Sequence, residues 1–99
     1  MDQFEYAVKL APSDEGGYIV TCRDLPQLVT QGDDESHALA EAADAMDEVF
    51  AAYMLGGLAL PVPSRLRKEE HWVSPPAETM AKAALYVAIT GFYMNPGRL

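Results

Sequence analysis

His37, His71 and Cys22 are the residues of this 99-residue chain that could supply imidazole or thiolate chemistry. Two histidines and one cysteine do not form a zinc-binding pattern at the usual spacings. A nucleophile such as Cys22 or Ser36 needs a base within hydrogen-bond reach. His37 follows Ser36 directly, and successive residues of a helix do not share a face. Asp33, Asp34 and Glu35 are the densest run of carboxylates. A Mg²⁺-dependent nuclease needs carboxylates that converge from different elements, whereas three consecutive acids at the start of a helix diverge. Helix capping is the chemistry this run suits. Gly16-Gly17 and Gly56-Gly57 read as turns or caps and do not sit in a phosphate-loop pattern. Arg65, Arg67 and Lys68 are followed at once by Glu69 and Glu70, which reads as a solvated loop. Trp72 reads as a core or sheet anchor. These residues yield no catalytic constellation, no metal site and no cofactor site, so a binding protein is expected rather than an enzyme.

The elements that position these residues follow from periodicity. Phe4, Tyr6, Val8 and Leu10 alternate with polar neighbours and predict a strand with one buried face. Residues 11–17 are turn chemistry, and residues 17–22 are rich in β-formers, giving the return strand of a hairpin. Asp24-Leu25-Pro26 breaks that strand, and residues 27–31 predict a short third one. Gly32 ends it, Asp33 or Asp34 caps, and a helix runs to about Met54. Leu39, Ala42, Ala43, Met46, Val49, Phe50, Tyr53 and Met54 form its apolar stripe, and Gly56-Gly57 stops it. Residues 58–67 read as a proline-punctuated connection and residues 70–74 as a fourth strand at the sheet edge. Pro76 suits a first helical turn. A second helix follows over residues 78–90, with Met80, Ala84, Leu85, Val87 and Ala88 at helical spacing. Gly91 ends that helix, and residues 92–99 are too few for another element. The order β-β-β-α-β-α predicts an α+β fold, an antiparallel sheet with one long helix across a face.

Charge is distributed unevenly. Residues 1–60 carry twelve acids and two bases, net −10, and residues 61–99 carry three acids and five bases, net +2. Phosphate binding needs a positive surface, so nucleic acid does not suit the first part. A basic protein does, because opposite fields speed and orient docking. No apolar run approaches the roughly 20 residues of a membrane span. Residues 1–10 lack the pattern of a secretion signal, and one unpaired cysteine suits a reducing cytoplasm.

Tyr6-x-Val8, Gly16-Gly17-Tyr18-Ile19-Val20, Asp24-Leu25-Pro26, Thr30-Gln31-Gly32-Asp33 and the alanine-spaced Ala38-Leu39-Ala40-Glu41-Ala42 together resemble the HicB antitoxin family over about residues 4–55. The resemblance implies a degraded ribonuclease-H-like β-β-β-α-β core without that enzyme's metal-binding carboxylates. It implies a partner, a small basic HicA-type mRNA-cleaving toxin, neutralised by covering its active site. On this basis residues 1–74 are expected to be the partner-binding domain, with Asp24, Asp33, Asp34 and Glu35 as contacts. Residues 75–99 are expected to be a C-terminal helix, the remnant of a DNA-binding or oligomerisation segment. Residues 73–86 resemble the lead-in to the helix-turn-helix that family members use to repress their own operon. The sequence ends at Leu99, where that module's recognition helix continues, so a truncated or diverged module is expected. Lys82 and Arg98 are the only bases after residue 75, few for contacts to base edges. Leu85, Ile89, Phe92 and Tyr93 are expected to support a homo-oligomer, a dimer or tetramer. The alternatives to an antitoxin are an operator-binding autorepressor and an orphan oligomeric scaffold.

Overall fold

Four of the expected strands form one sheet in the computed structural model, which describes residues 3–94. Met1, Asp2 and residues 95–99, including Arg98, lie outside the described residues. Strand β1 (Tyr6–Pro12) pairs antiparallel with β2 (Tyr18–Cys22), and β2 pairs antiparallel with β3 (Val29–Gly32). Helix α1 (Glu35–Leu55) follows. After a two-residue strand β4 (Leu60–Pro61), strand β5 (Glu70–Val73) returns beside β1, giving the order β3-β2-β1-β5. Helix α2 (Ala77–Thr90) and a two-residue strand β6 (Tyr93–Met94) complete the described chain. The fold is α+β: an antiparallel four-stranded sheet, a long helix and a second, C-terminal helix.

The period-two pattern decides which face of the sheet is covered. Tyr6, Val8, Val20, Cys22 and Val73 share the buried face, as their cross-strand pairing requires. Ala38, Ala42, Met46, Val49 and Phe50 of α1 pack onto it. Phe50 sits at the centre, edge-on to Phe4 and to Tyr6 at 5.8 Å in each case, an arrangement that complements ring quadrupoles. The Tyr6 hydroxyl donates to the Pro61 carbonyl at 2.6 Å. Burial pushes this phenol's pKa well above its ordinary value, with Tyr93 and Asp24 adding to the effect.

Gly32 shows why β3 and α1 meet as they do. A Cβ at Gly32 would fall against the backbone of Ala38, far inside van der Waals contact. The last residue of the strand therefore lies directly on the first turn of the helix, which only glycine permits.

The segments expected to hold no element differ from the sequence reading. Leu60-Pro61 pairs in parallel with Tyr93-Met94, and the Leu60 N–H donates to the Phe92 carbonyl at 2.9 Å. Two residues carry no periodic signal. What orders them is tertiary: Leu60 is fully buried, and the Tyr93 ring packs edge-on to Phe4 at 5.5 Å. Helix α2 also differs in its buried face. Thr79 and Ala83 are buried, Met80 and Val87 are half-buried, and Ala84, Leu85 and Ala88 are exposed. Small residues on one side let α2 approach α1, where the Thr79 hydroxyl donates to Asp47 Oδ1 at 2.6 Å.

Candidate functional site

The acids expected at a partner surface divide into three environments. Asp24 is 6% exposed. Its Oδ2 accepts from the Ser64 N–H at 2.7 Å and its Oδ1 from the Ser64 hydroxyl at 2.6 Å. This carboxylate faces inward and pins the 58–67 connection to the end of β2, so the expectation of a surface contact is corrected here. A buried carboxylate must find donors, and Ser64 supplies both. Asp34 is the N-cap of α1, its Oδ1 accepting from the His37 N–H at 2.8 Å. Asp33 and Glu35 are the outward pair, the Asp33 side chain being 99% exposed. Glu35 Oε1 lies 3.9 Å from His71 Nε2.

His37 joins this group from the helix. The Asp33 N–H donates to His37 Nδ1 at 2.9 Å, which requires that nitrogen to be unprotonated. The ring hydrogen then sits on Nε2, 3.3 Å from Glu41 Oε1. Two open depressions meet here. One of about 620 Å³ lies between the β1–β2 turn, β3 and the start of α1, lined by Glu15, Gln31, Asp33, His37 and Glu41 among others. The other, about 250 Å³, continues beside β3 with Val29, Asp44, Ala45 and Glu48. Thr30 and Glu41 line both. Glu41, Asp44 and Glu48 recur at helical spacing, so α1 presents an acidic flank along the outer strand.

Among the described residues, no three of His, Cys, Asp and Glu come together as a set able to hold a metal ion. Cys22 is buried, and desolvation pushes its thiol pKa up from an already weakly acidic value. The thiolate needed for nucleophilic chemistry is therefore disfavoured.

The apolar residues expected at an oligomer contact also divide. Leu85 is 61% and Ile89 74% exposed, and Phe92 faces outward beside Tyr86. Tyr93 instead turns into the core against Phe4, with its hydroxyl donating to the Gln3 carbonyl. Burial pushes that phenol's pKa up. Trp72 is half-buried beside Ala7 on the sheet face away from α1, a sheet anchor outside the main core.

One polar feature escaped the sequence reading. Arg23 holds Glu70 through two hydrogen bonds, Nε to Oε2 at 2.8 Å and Nη2 to Oε1 at 2.7 Å. Arg23 also donates to the Arg65 carbonyl, and the Arg67 N–H donates to Glu70 Oε1. The Arg23 guanidinium first, and the Arg67 amide after it, lower the Glu70 pKa to about 2. The partners are 47 residues apart, so no local pattern announces them. Arg67 of the expected solvated cluster is thus tied through its backbone to the sheet.

These residues form a two-layer α+β domain whose surface offers carboxylates along α1 and apolar side chains along α2. That surface suits electrostatic and hydrophobic contact with another macromolecule. Residues 5–84 match the family described as HicB-like antitoxin of bacterial toxin–antitoxin systems, and the chain belongs to that family. It is 35% identical over 80 residues to Antitoxin HicB of Escherichia coli strain K12 and 39% identical over 80 residues to Antitoxin HicB 2 of Photorhabdus laumondii. Each alignment covers 81% of this chain, and 58% and 55% of those relatives respectively. The chain therefore spans little more than half the length of the curated relatives it matches.

Proposed function

We propose that this chain acts as the antitoxin of a HicA-type pair, binding a small basic mRNA-cleaving toxin and covering its active site. The observation that carries this reading is membership of the HicB-like family over residues 5–84. The charge of residues 1–60, net −10, supplies a physical basis, because a basic partner is drawn to that half. In this reading residues 1–74 dock the toxin in the cytoplasm, on a core of ribonuclease-H-like descent, with Asp33 and Glu35 among the contacts. Asp34 is a poor probe of that contact, because reversing it also removes the cap of α1.

Co-expression with a small basic HicA-type toxin tests the proposal. A stable complex and rescue of growth are the expected result. Absence of both defeats it, and the operon's own DNA is then the next ligand to assay. Within a complex, Asp33→Lys with Glu35→Lys is expected to weaken binding and flatten its salt dependence. Unchanged affinity removes the two residues from the interface.

A second reading rests on a separate observation, the exposure of Leu85, Ile89 and Phe92. Exposed apolar side chains in one region mark association surfaces, and a homo-oligomer built on residues 75–99 would cover them. Sedimentation of the protein before and after Leu85→Ser with Ile89→Ser decides this. An unchanged mass excludes those residues from any oligomer contact.

A further inference from the structure

Strand β3 ends the sheet, paired with β2 and, among the described residues, with no strand on its other side. Such an edge leaves alternate N–H and C=O groups unpaired, and proteins usually guard it with charge, proline or a bulge. The opposite edge is guarded: Lys68 and Glu69 precede β5, Glu70 lies within it, and Pro75-Pro76 follows it closely. The sequence of β3 is Val29-Thr30-Gln31-Gly32, with neither charge nor proline, and Val29 is 64% exposed. Thr30 pairs with buried Val20 and so faces α1, whereas Val29 and Gln31 face the uncovered side of the sheet.

We infer that the free edge of β3 accepts an extended basic segment of a partner protein as a fifth strand. The unpaired edge is the site, and the neighbouring charge selects its occupant. The trough of about 250 Å³ beside β3 is bordered on the helix side by Glu41, Asp44 and Glu48. Glu41 faces His37; among the described residues Asp44 and Glu48 have no cationic partner. A docked strand with Lys or Arg at every second position places those side chains toward this flank. Its alternate positions, apolar or β-branched, lie beside Val29 on the other face. Main-chain hydrogen bonds give such a complex its affinity and the alternating side chains its specificity. A second copy of this chain fits less well, because edge-to-edge pairing of two β3 strands brings two acidic flanks together.

This inference rests on the reading of a basic protein partner, and its test separates the two. Amide hydrogen exchange is followed by NMR on the full chain, free, with the co-expressed basic toxin, and with two synthetic decapeptides. One decapeptide alternates Lys with Val and the other alternates Glu with Val. The β3 amides that exchange quickly in the free protein are expected to slow at least about tenfold with the toxin and with the Lys peptide, and not with the Glu peptide. Asp44→Lys with Glu48→Lys is expected to weaken the complex at least about tenfold. The charge-matched Glu69→Lys with Glu78→Lys is expected to change it far less. A toxin complex in which β3 exchange is unaltered overturns the inference and leaves the antitoxin reading intact. A protein that ignores the toxin but protects β3 with the Lys peptide defeats the antitoxin reading and sustains the edge. Equal protection by both peptides overturns the selection by charge. Failure of the toxin to form a complex, together with no protection by either peptide, defeats both.

Discussion

The two helices are held by different physics. Helix α1 is 21 residues long, is capped by Asp34 and buries Ala38, Ala42, Met46, Val49 and Phe50 against the sheet. Helix α2 has 14 residues, follows Pro76 at the N-cap position without a side-chain cap, and buries only Thr79 and Ala83. It is fixed by polar contacts and by its neighbours in sequence. Thr79 bonds to Asp47, the Tyr86 hydroxyl donates to the Leu58 carbonyl at 2.8 Å, and the chain beyond α2 pairs with Leu60-Pro61. A helix anchored by burial must turn its apolar stripe inward. A helix anchored by hydrogen bonds and small residues can leave Leu85 and Ile89 outward, available to another molecule.

The sharpest way to break this contrast is Phe50→Ala in α1. It removes the ring between Phe4 and Tyr6 and is expected to cost about 3–5 kcal/mol, a large fraction of the stability of a domain this size. Urea denaturation checks it through a fall in midpoint. A loss under about 1 kcal/mol would show that α1 is not held mainly by burial.

Next in size is Arg23→Ala. This residue, just past the end of β2, ties down Glu70 at the start of β5. Losing hydrogen bonds to a charged partner costs about 2 kcal/mol. The pH dependence has a definite sign. Glu70 has its pKa lowered from 4.5 to about 2 in the fold, so its contribution is complete above the unfolded value and disappears as pH falls from about 4.5 toward 2. The stability difference between the native chain and the Arg23 variant should therefore shrink across that window. A difference that stays constant from neutral pH down to 2 contradicts the ion pair.

Thr79→Val keeps the shape of α2 and removes its bond to Asp47. A loss of about 1 kcal/mol is expected, the net worth of one such bond, and a double-mutant cycle with Asp47→Ala should recover most of it as coupling. Additive effects would mean the helices are not linked through this pair. Smallest of all, Leu85→Ser and Ile89→Ser should each change the stability of the single chain by no more than about 0.5 kcal/mol, as exposed positions do. A larger loss that depends on protein concentration would instead reveal that self-association covers them.

Parts of the candidate site were legible in the sequence and parts were not. Asp33, Asp34 and Glu35 stood out as an acidic helix start, and they occupy that place, Asp34 as the cap. The acidic positions of α1 could be marked as lying off its apolar stripe, yet their position beside the edge strand β3 could not, because strand order is a long-range property. Asp24 looked like its neighbours in charge. Only the placement of Ser64, 40 residues on, shows that it faces inward. Tyr93 matched Phe92 in apolar character, and the presence of Phe4 decides which of the two enters the core.

By itself the sequence determined whatever depends on energies within a few residues. The alternation from Phe4 to Leu10, the cap at Asp34 and the stop at Gly56-Gly57 all lie where local periodicity and backbone preference put them, and so does the hairpin turn, except that Ala11 and Pro12, expected within it, extend β1 by pairing with Ile19 and Tyr18. Tertiary structure alone decided the β4–β6 pairing, the Arg23–Glu70 tie and which side of α2 is buried. Each joins segments about 30 to 50 residues apart or depends on the shape of a facing surface. Their free energy exists only once the sheet and α1 have assembled, so no short window of residues encodes it.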